Sequence, residues 1–98
     1  MTMASVTVEI VNKKGLHARA AARFVKIAAT YNAQITVARL GPNGEEHSPP
    51  VAAASILGLM MLGADPGSRL HITAEGEQAQ AAVHALKELV ENRFGETE

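Results

Sequence analysis

Gly15-Leu16-His17-Ala18-Arg19-Ala20-Ala21-Ala22-Arg23-Phe24-Val25 is the stretch in which the chain changes its periodicity. Upstream of it, Ala4 to Val11 alternates, with Val6, Val8 and Ile10 on one side and Thr7 and Glu9 on the other. That is the pattern of a strand with one face buried. Asn12-Lys13-Lys14-Gly15 interrupts it, and from Ala18 to about Thr30 the pattern becomes helical. With Arg19 at the origin and about 100° per residue, Arg23 and Lys26 fall within roughly 40° of it. Ala21, Phe24, Val25 and Ala28 gather on the opposite side, so the helix carries a basic stripe outward and a small-residue stripe inward.

Working outward, Ala33 to Leu40 reads as a second strand, with Ile35 and Val37 inward, closed by the turn Gly41-Pro42-Asn43-Gly44. A third strand is predicted from Glu45 to about Val51. Pro49-Pro50 cannot donate ladder hydrogen bonds, so that strand must be short or lie at a sheet edge. Ser55 can cap a short helix through Leu62, ended by Gly63 in the left-handed conformation. Asp65-Pro66-Gly67 turns into a fourth strand, Ser68 to Ala74, and a last helix spans about Glu77 to Arg93 with Ala79, Ala82, Val83, Leu86 and Val90 as its buried stripe. The order β-α-β-β-α-β-α, with short strands joined partly by hairpins, predicts the α+β class: a mainly antiparallel sheet with helices on one face.

At 98 residues the chain fits one domain, 1–98, and no linker or repeat divides it. Apolar residues are 47% and charged residues 19%, which excludes a disordered chain. Alanine is abundant and aromatics are only two Phe and one Tyr, so the core must be built from closely approaching elements. Cysteine is absent, which excludes disulfides and thiolate metal sites and suits a reducing, cytoplasmic setting. The longest nearly apolar run, Val51 to Ala64, is shorter than the ~20 residues of a bilayer span, and the N-terminal residues lack the pattern of an export signal. Translation could start at Met1 or Met3. Net charge is −1, yet it is unevenly laid out. Val11 to Gly44 holds six basic residues and no acid, and the remainder holds three basic and ten acidic residues. Such segregation suits a face that meets an acidic or phosphorylated partner.

His17 stands at the junction of loop and helix. A helix start leaves backbone N–H groups without partners and carries partial positive charge, so it receives phosphate readily. Arg19 adds a planar fork of donors, Ala18 belongs to the same first turn, and Gly15 allows a sharp turn and a close approach. Imidazole is largely neutral and nucleophilic near neutral pH, as reversible phosphoryl carriage requires. A lone histidine is more often a helix cap or a groove filler; here the neighbouring Gly, Arg, helix start and basic stripe converge on it.

The segment from Gly15 to Val25 closely resembles the active-site motif of the HPr family, the histidine-containing phosphocarriers of the bacterial phosphotransferase system. A second segment, Ser55-Ile56-Leu57-Gly58-Leu59-Met60-Met61-Leu62-Gly63, resembles that family's regulatory-serine segment. Element order, length and the spacing of both motifs extend the likeness over nearly the whole chain. The resemblance implies an open-faced β-sandwich, a four-stranded sheet of order 1-4-2-3 covered by three helices. It implies that His17 takes a phosphoryl group on Nδ1 from enzyme I, charged by phosphoenolpyruvate, and passes it to a histidine of a IIA-type protein. Arg19 would stabilise the group in transfer. The chain would act as a shuttled substrate without turnover of its own, as a monomer, with no cofactor, metal, nucleic acid or membrane insertion. Whether the acceptor serves sugar uptake or nitrogen-related regulation stays open. The family's proline after the arginine is Ala20 here, which implies a slightly looser helix start.

Ser55 reads both as a helix cap and, by the resemblance, as a site for HPr kinase, although the lysine often preceding it is replaced by Ala54. The apolar residues of its short helix cannot all face inward, so an exposed patch is predicted, and such patches commonly mark a partner site. Ile56, Leu57 and Met60, with Ala18 and Ala22, should ring His17 beside Arg23 and Lys26. His47, His71 and His84 show no metal-ligand spacing. Two other readings compete: a regulatory protein that only docks, acting through Ser55, and a small nucleic-acid-binding module. The latter lacks aromatic stacking platforms.

Overall fold

The computed structural model describes residues 2–98; Met1, one of the two candidate start residues, lies outside them. The elements are β1 (Met3–Glu9), α1 (Ala18–Ala28), β2 (Gln34–Leu40), β3 (Val51–Ala52), α2 (Ile56–Met61), β4 (Arg69–Glu75) and α3 (Ala79–Glu91), followed by a 3-10 turn at Arg93–Gly95. The four strands form one antiparallel sheet in the order β1-β4-β2-β3. This is the expected open-faced arrangement, with three helices on one face.

Alternation along each strand sets the register. Val6, Ile72 and Val37 lie opposite one another across β1, β4 and β2, as do Ala4, Ala74 and Ile35 in the neighbouring row. A one-residue slip would turn both rows to solvent, so the hydrophobic pattern specifies the pairing. The buried stripe of α3 consists of Ala79, Ala82, Val83, Leu86 and Val90, as its periodicity predicts. Ala20, Ala21 and Ala82 have no exposed surface, and these small side chains let α1 and α3 pack closely on each other, with α3 against β1 and β4, around Phe24, Leu59, Leu86 and Phe94.

Several boundaries differ from the sequence-based expectation. The third strand does not run from Glu45 to Val51. Only a single bridge, Leu40 to Glu46, precedes the two-residue β3, because Pro49-Pro50 remove the donors a ladder needs there. Pairing resumes at Val51 and Ala52, at the sheet edge that the prolines require. Helix α1 ends two residues early, where the Thr30 hydroxyl donates to the Ile27 carbonyl and competes with the helical pattern. After α3, Arg93 (φ 56°) and Phe94 (φ 54°) are both left-handed, so the chain reverses sharply instead of continuing the helix. In compensation Phe94 is buried in the core.

Candidate functional site

The site is built where β1 gives way to α1. Asn12 is fully buried, and its amide Nδ2 donates to the Gly15 carbonyl at 2.8 Å. Gly15 is left-handed (φ 68°), and a Cβ there would come within 2.6 Å of the Ala64 carbonyl oxygen. Glycine is therefore required by both conformation and contact. The next residue, Leu16, donates its N–H to that same Ala64 oxygen at 2.9 Å, which pins the approach to the helix.

His17 is the N-cap of α1, in extended conformation (φ −80°, ψ 179°). Its Nδ1 accepts from the Arg19 N–H at 3.3 Å, one of the donors that a helix start leaves without a carbonyl. The His17 carbonyl accepts the Ala21 N–H at 2.8 Å and so begins the helical ladder. On the other side of the ring, Nε2 lies 2.5 Å from Glu96 Oε2. The side chain is 26% exposed, so the ring is held but reachable. A nitrogen that accepts from a backbone N–H carries a lone pair, which assigns the neutral ring's proton to Nε2, facing the carboxylate.

Glu96 closes the site from the other end of the chain. Its Oε1 accepts from Asn12 Nδ2 at 3.0 Å, while Oε2 meets the imidazole. Burial pushes this carboxyl up, but hydrogen bonds from His17 and Asn12, with the electrostatic attraction of His17 and Arg23, hold it below its ordinary value of 4.5. Both Asn12 Nδ2 partners are acceptors, so the amide orientation is settled by its bonds, and Asn12 Oδ1 is left buried without a partner. Further ties hold the same segment: Arg23 donates to the Phe94 carbonyl, the Lys13 N–H donates to the Glu98 carbonyl, and Lys13 Nζ pairs with Glu98 at 3.2 Å. Together these residues shape a solvent-open cleft of about 350 Å³ lined by Lys13, Lys14, His17, Arg19, Arg23 and Glu96 among others.

The residues singled out in the sequence fall into distinct places. His17, Arg19 and Arg23 share the cleft, and Ala18 is exposed in the first turn of α1. Gly15 is buried, and its N–H donates to the Asn12 carbonyl at 3.2 Å. It shapes the turn from behind instead of offering a donor or an open approach to the cleft. Arg23 is not a free member of the basic stripe, since its guanidinium is engaged by Phe94. Lys26 and Ala22 are exposed on α1 outside the cleft lining. Ser55 caps α2, its Oγ accepting the Gly58 N–H at 2.9 Å. On α2, which packs beside α1, Ile56 (41% exposed), Leu57 (68%), Met60 (41%) and Met61 (77%) form the expected apolar patch, while Leu59 points into the core.

Asn12, Phe94 and Glu96 escaped the sequence reading. A polar residue at the end of an alternating strand and a lone aromatic beyond the last helix were weak signals. The segregation of charge was a stronger one, because the acidic end of the chain in part neutralises the basic stretch within the molecule itself. Among the described residues no three His, Asp or Glu side chains converge as a metal site, and no helix is long and apolar enough to cross a membrane.

Residues 4–92 match the protein family described as "PTS HPr component phosphorylation site". The chain is 47% identical over 96 residues to the phosphocarrier protein HPr of Pseudomonas aeruginosa, covering 98% of this chain and all of that protein. It is 38% identical over 96 residues to the phosphocarrier protein NPr of Shewanella violacea, covering 98% of each. Among solved structures, the HPr-C-His protein of Thermoanaerobacter tengcongensis superposes with a TM-score of 0.83 at 42% identity, over 97% of this chain and 99% of that one.

Proposed function

The chain belongs to the HPr family of phosphocarriers of the phosphotransferase system, and we propose that His17 is the residue on which it carries the phosphoryl group. The donor is enzyme I, charged by phosphoenolpyruvate, and the acceptor is a histidine of a IIA-type protein. In the first step the Nδ1 lone pair of His17 attacks phosphorus. The bond between phosphorus and enzyme I breaks, and its electron pair stays on enzyme I. In the second step the Nδ1–P bond breaks as the acceptor nitrogen attacks, returning a neutral ring. The chain works as a cytoplasmic monomer and needs no cofactor.

One observation carries this reading: Nδ1 lies at the first turn of α1, within reach of the Arg19 N–H, on a ring that is part-exposed. The oxygens of a phosphoryl group whose phosphorus is bonded to Nδ1 would meet backbone N–H groups of that turn, and the Arg19 guanidinium stands in the same cleft. Partners dock on the apolar patch of α2, through Ile56, Leu57 and Met60, and on the neighbouring Ala18, Ala22 and Lys26 of α1. Methionine suits a surface that must fit more than one partner.

Incubation with phosphoenolpyruvate and enzyme I is expected to give an acid-labile adduct on His17, absent from His17→Ala. Labelling that survives the substitution rejects the assignment. For Ser55 the reading is regulatory phosphorylation by HPr kinase: the added dianion repels an acidic enzyme I surface and slows the charging of His17. An acid-stable adduct formed from ATP and that kinase, and missing in Ser55→Ala, is the expected result; no adduct removes the regulatory role.

A further inference from the structure

We infer that Glu96 is a positioning residue for His17: by accepting the Nε2 proton at 2.5 Å it holds the imidazole in the tautomer whose lone pair is on Nδ1. The inference rests on the reading of His17 as the phosphoryl carrier. It extends that reading to a segment outside residues 4–92, where the family match ends.

The geometry fits the task. A neutral imidazole in water exchanges its proton between two nitrogens, and only one tautomer offers Nδ1 as a nucleophile. The partner of one ring nitrogen decides which nitrogen carries the proton. Here the two sides of the ring agree, because a backbone N–H meets Nδ1 and a carboxylate meets Nε2. When Nδ1 takes the phosphoryl group, the ring keeps the Nε2 proton and gains positive charge, directly opposite the carboxylate. When the group leaves, the electron pair of the Nδ1–P bond returns to Nδ1, and the ring is again neutral with its proton still on Nε2. No proton has to move in either direction. Glu96 serves both steps by staying in place.

The surroundings are organised to keep it there. Asn12, fully buried, uses one N–H on Glu96 and leaves its own carbonyl oxygen unpartnered, a cost that a mere surface tether would not require. The buried Phe94 ring anchors the segment, and polar contacts aim it: Asn12 and His17 meet the Glu96 carboxylate, and Arg23 donates to the Phe94 carbonyl.

The test has two arms on the full chain. In the uncharged protein at alkaline pH, ring ¹⁵N shifts of His17 should report the Nε2–H tautomer. Glu96→Gln, which keeps an acceptor oxygen, should preserve that signature, whereas Glu96→Ala should shift it towards a mixture. In the second arm, the rate constant for charging by enzyme I and phosphoenolpyruvate should fall about tenfold in Glu96→Ala, with Glu96→Gln between it and the native protein. The concentration of carrier that half-saturates enzyme I should stay unchanged. Ring shifts in Glu96→Ala identical to those of the native protein, or an unaltered charging rate, overturn the inference. Failure of the native protein to form an acid-labile adduct on His17 would instead reject the carrier reading, while the ring shifts still judge the Glu96 contact separately.

Discussion

Gly15 carries two constraints at once, a left-handed φ of 68° and a backbone oxygen 2.6 Å from where a side chain would begin. The obstructing atom is a carbonyl, so no rotamer change can relieve the clash. Gly15→Ala is therefore expected to cost more than about 1 kcal/mol in chemical denaturation, and also to slow the charging of His17 by displacing the helix start. Ser55 is a simpler case. Its hydroxyl satisfies one N–H at the start of a short helix, and Ser55→Ala should cost about 1 kcal/mol while leaving His17 chargeable. Glu98 should matter least: it is 70% exposed, and its ion pair with Lys13 is of a kind worth less than about 1 kcal/mol. Denaturation of Glu98→Gln would check this.

At the scale of the element, the segment after α3 behaves as a strap across the mouth of α1, anchored by one ring. Truncating a buried Phe costs about 3–5 kcal/mol where the surrounding structure must stay in place. Here the strap can lift away while the sheet and α3 remain. Phe94→Ala should accordingly lower global stability by less than that range, and should abolish hydrogen-exchange protection of the Gly95 and Glu96 amides, which now donate to the carbonyls of Asn92 and Arg93. It should also release the His17 ring as Glu96→Ala does. Protection persisting at Gly95 and Glu96 would show that the polar ties suffice without the ring. The same scale shows which elements the sequence made legible. The stripe Ala79, Ala82, Val83, Leu86 and Val90 and the strand pairs Ile35/Val37 and Leu70/Ile72 follow from periodicity alone, because each buries one face against a single layer. The third strand, expected over 45–51 but short or at an edge because of Pro49-Pro50, is reduced to Val51–Ala52 at the edge, with only an isolated bridge at Glu46 before it.

At the scale of the whole molecule, the acidic and basic halves of the sequence meet in the cleft. Folding lowers the affinity of Glu96 for protons, so the unfolded chain binds more protons than the native one in the acid range, and stability rises with pH there. The contribution is complete above 4.5 and is lost as pH falls through the lower native value. Denaturation as a function of pH should therefore show a stability gap between the native protein and Glu96→Gln that is constant above that value and closes on acidification. This contact was beyond local sequence reading, since its partners are 79 positions apart and no periodicity links them. His17 at a helix start was legible from its neighbours; the atoms that set its tautomer were not.

The Ala64 carbonyl, which lies against Gly15 and accepts from Leu16, belongs to the turn after α2, past Leu62 and Gly63. It rivets the pedestal of the imidazole to the trailing end of the apolar helix. A visitor that grips Ile56 and Met60 thus grips the same rigid body that presents Nδ1, and substitutions at Asp65 or Pro66, remote in sequence from the ring, should retune how squarely the nitrogen meets incoming phosphorus.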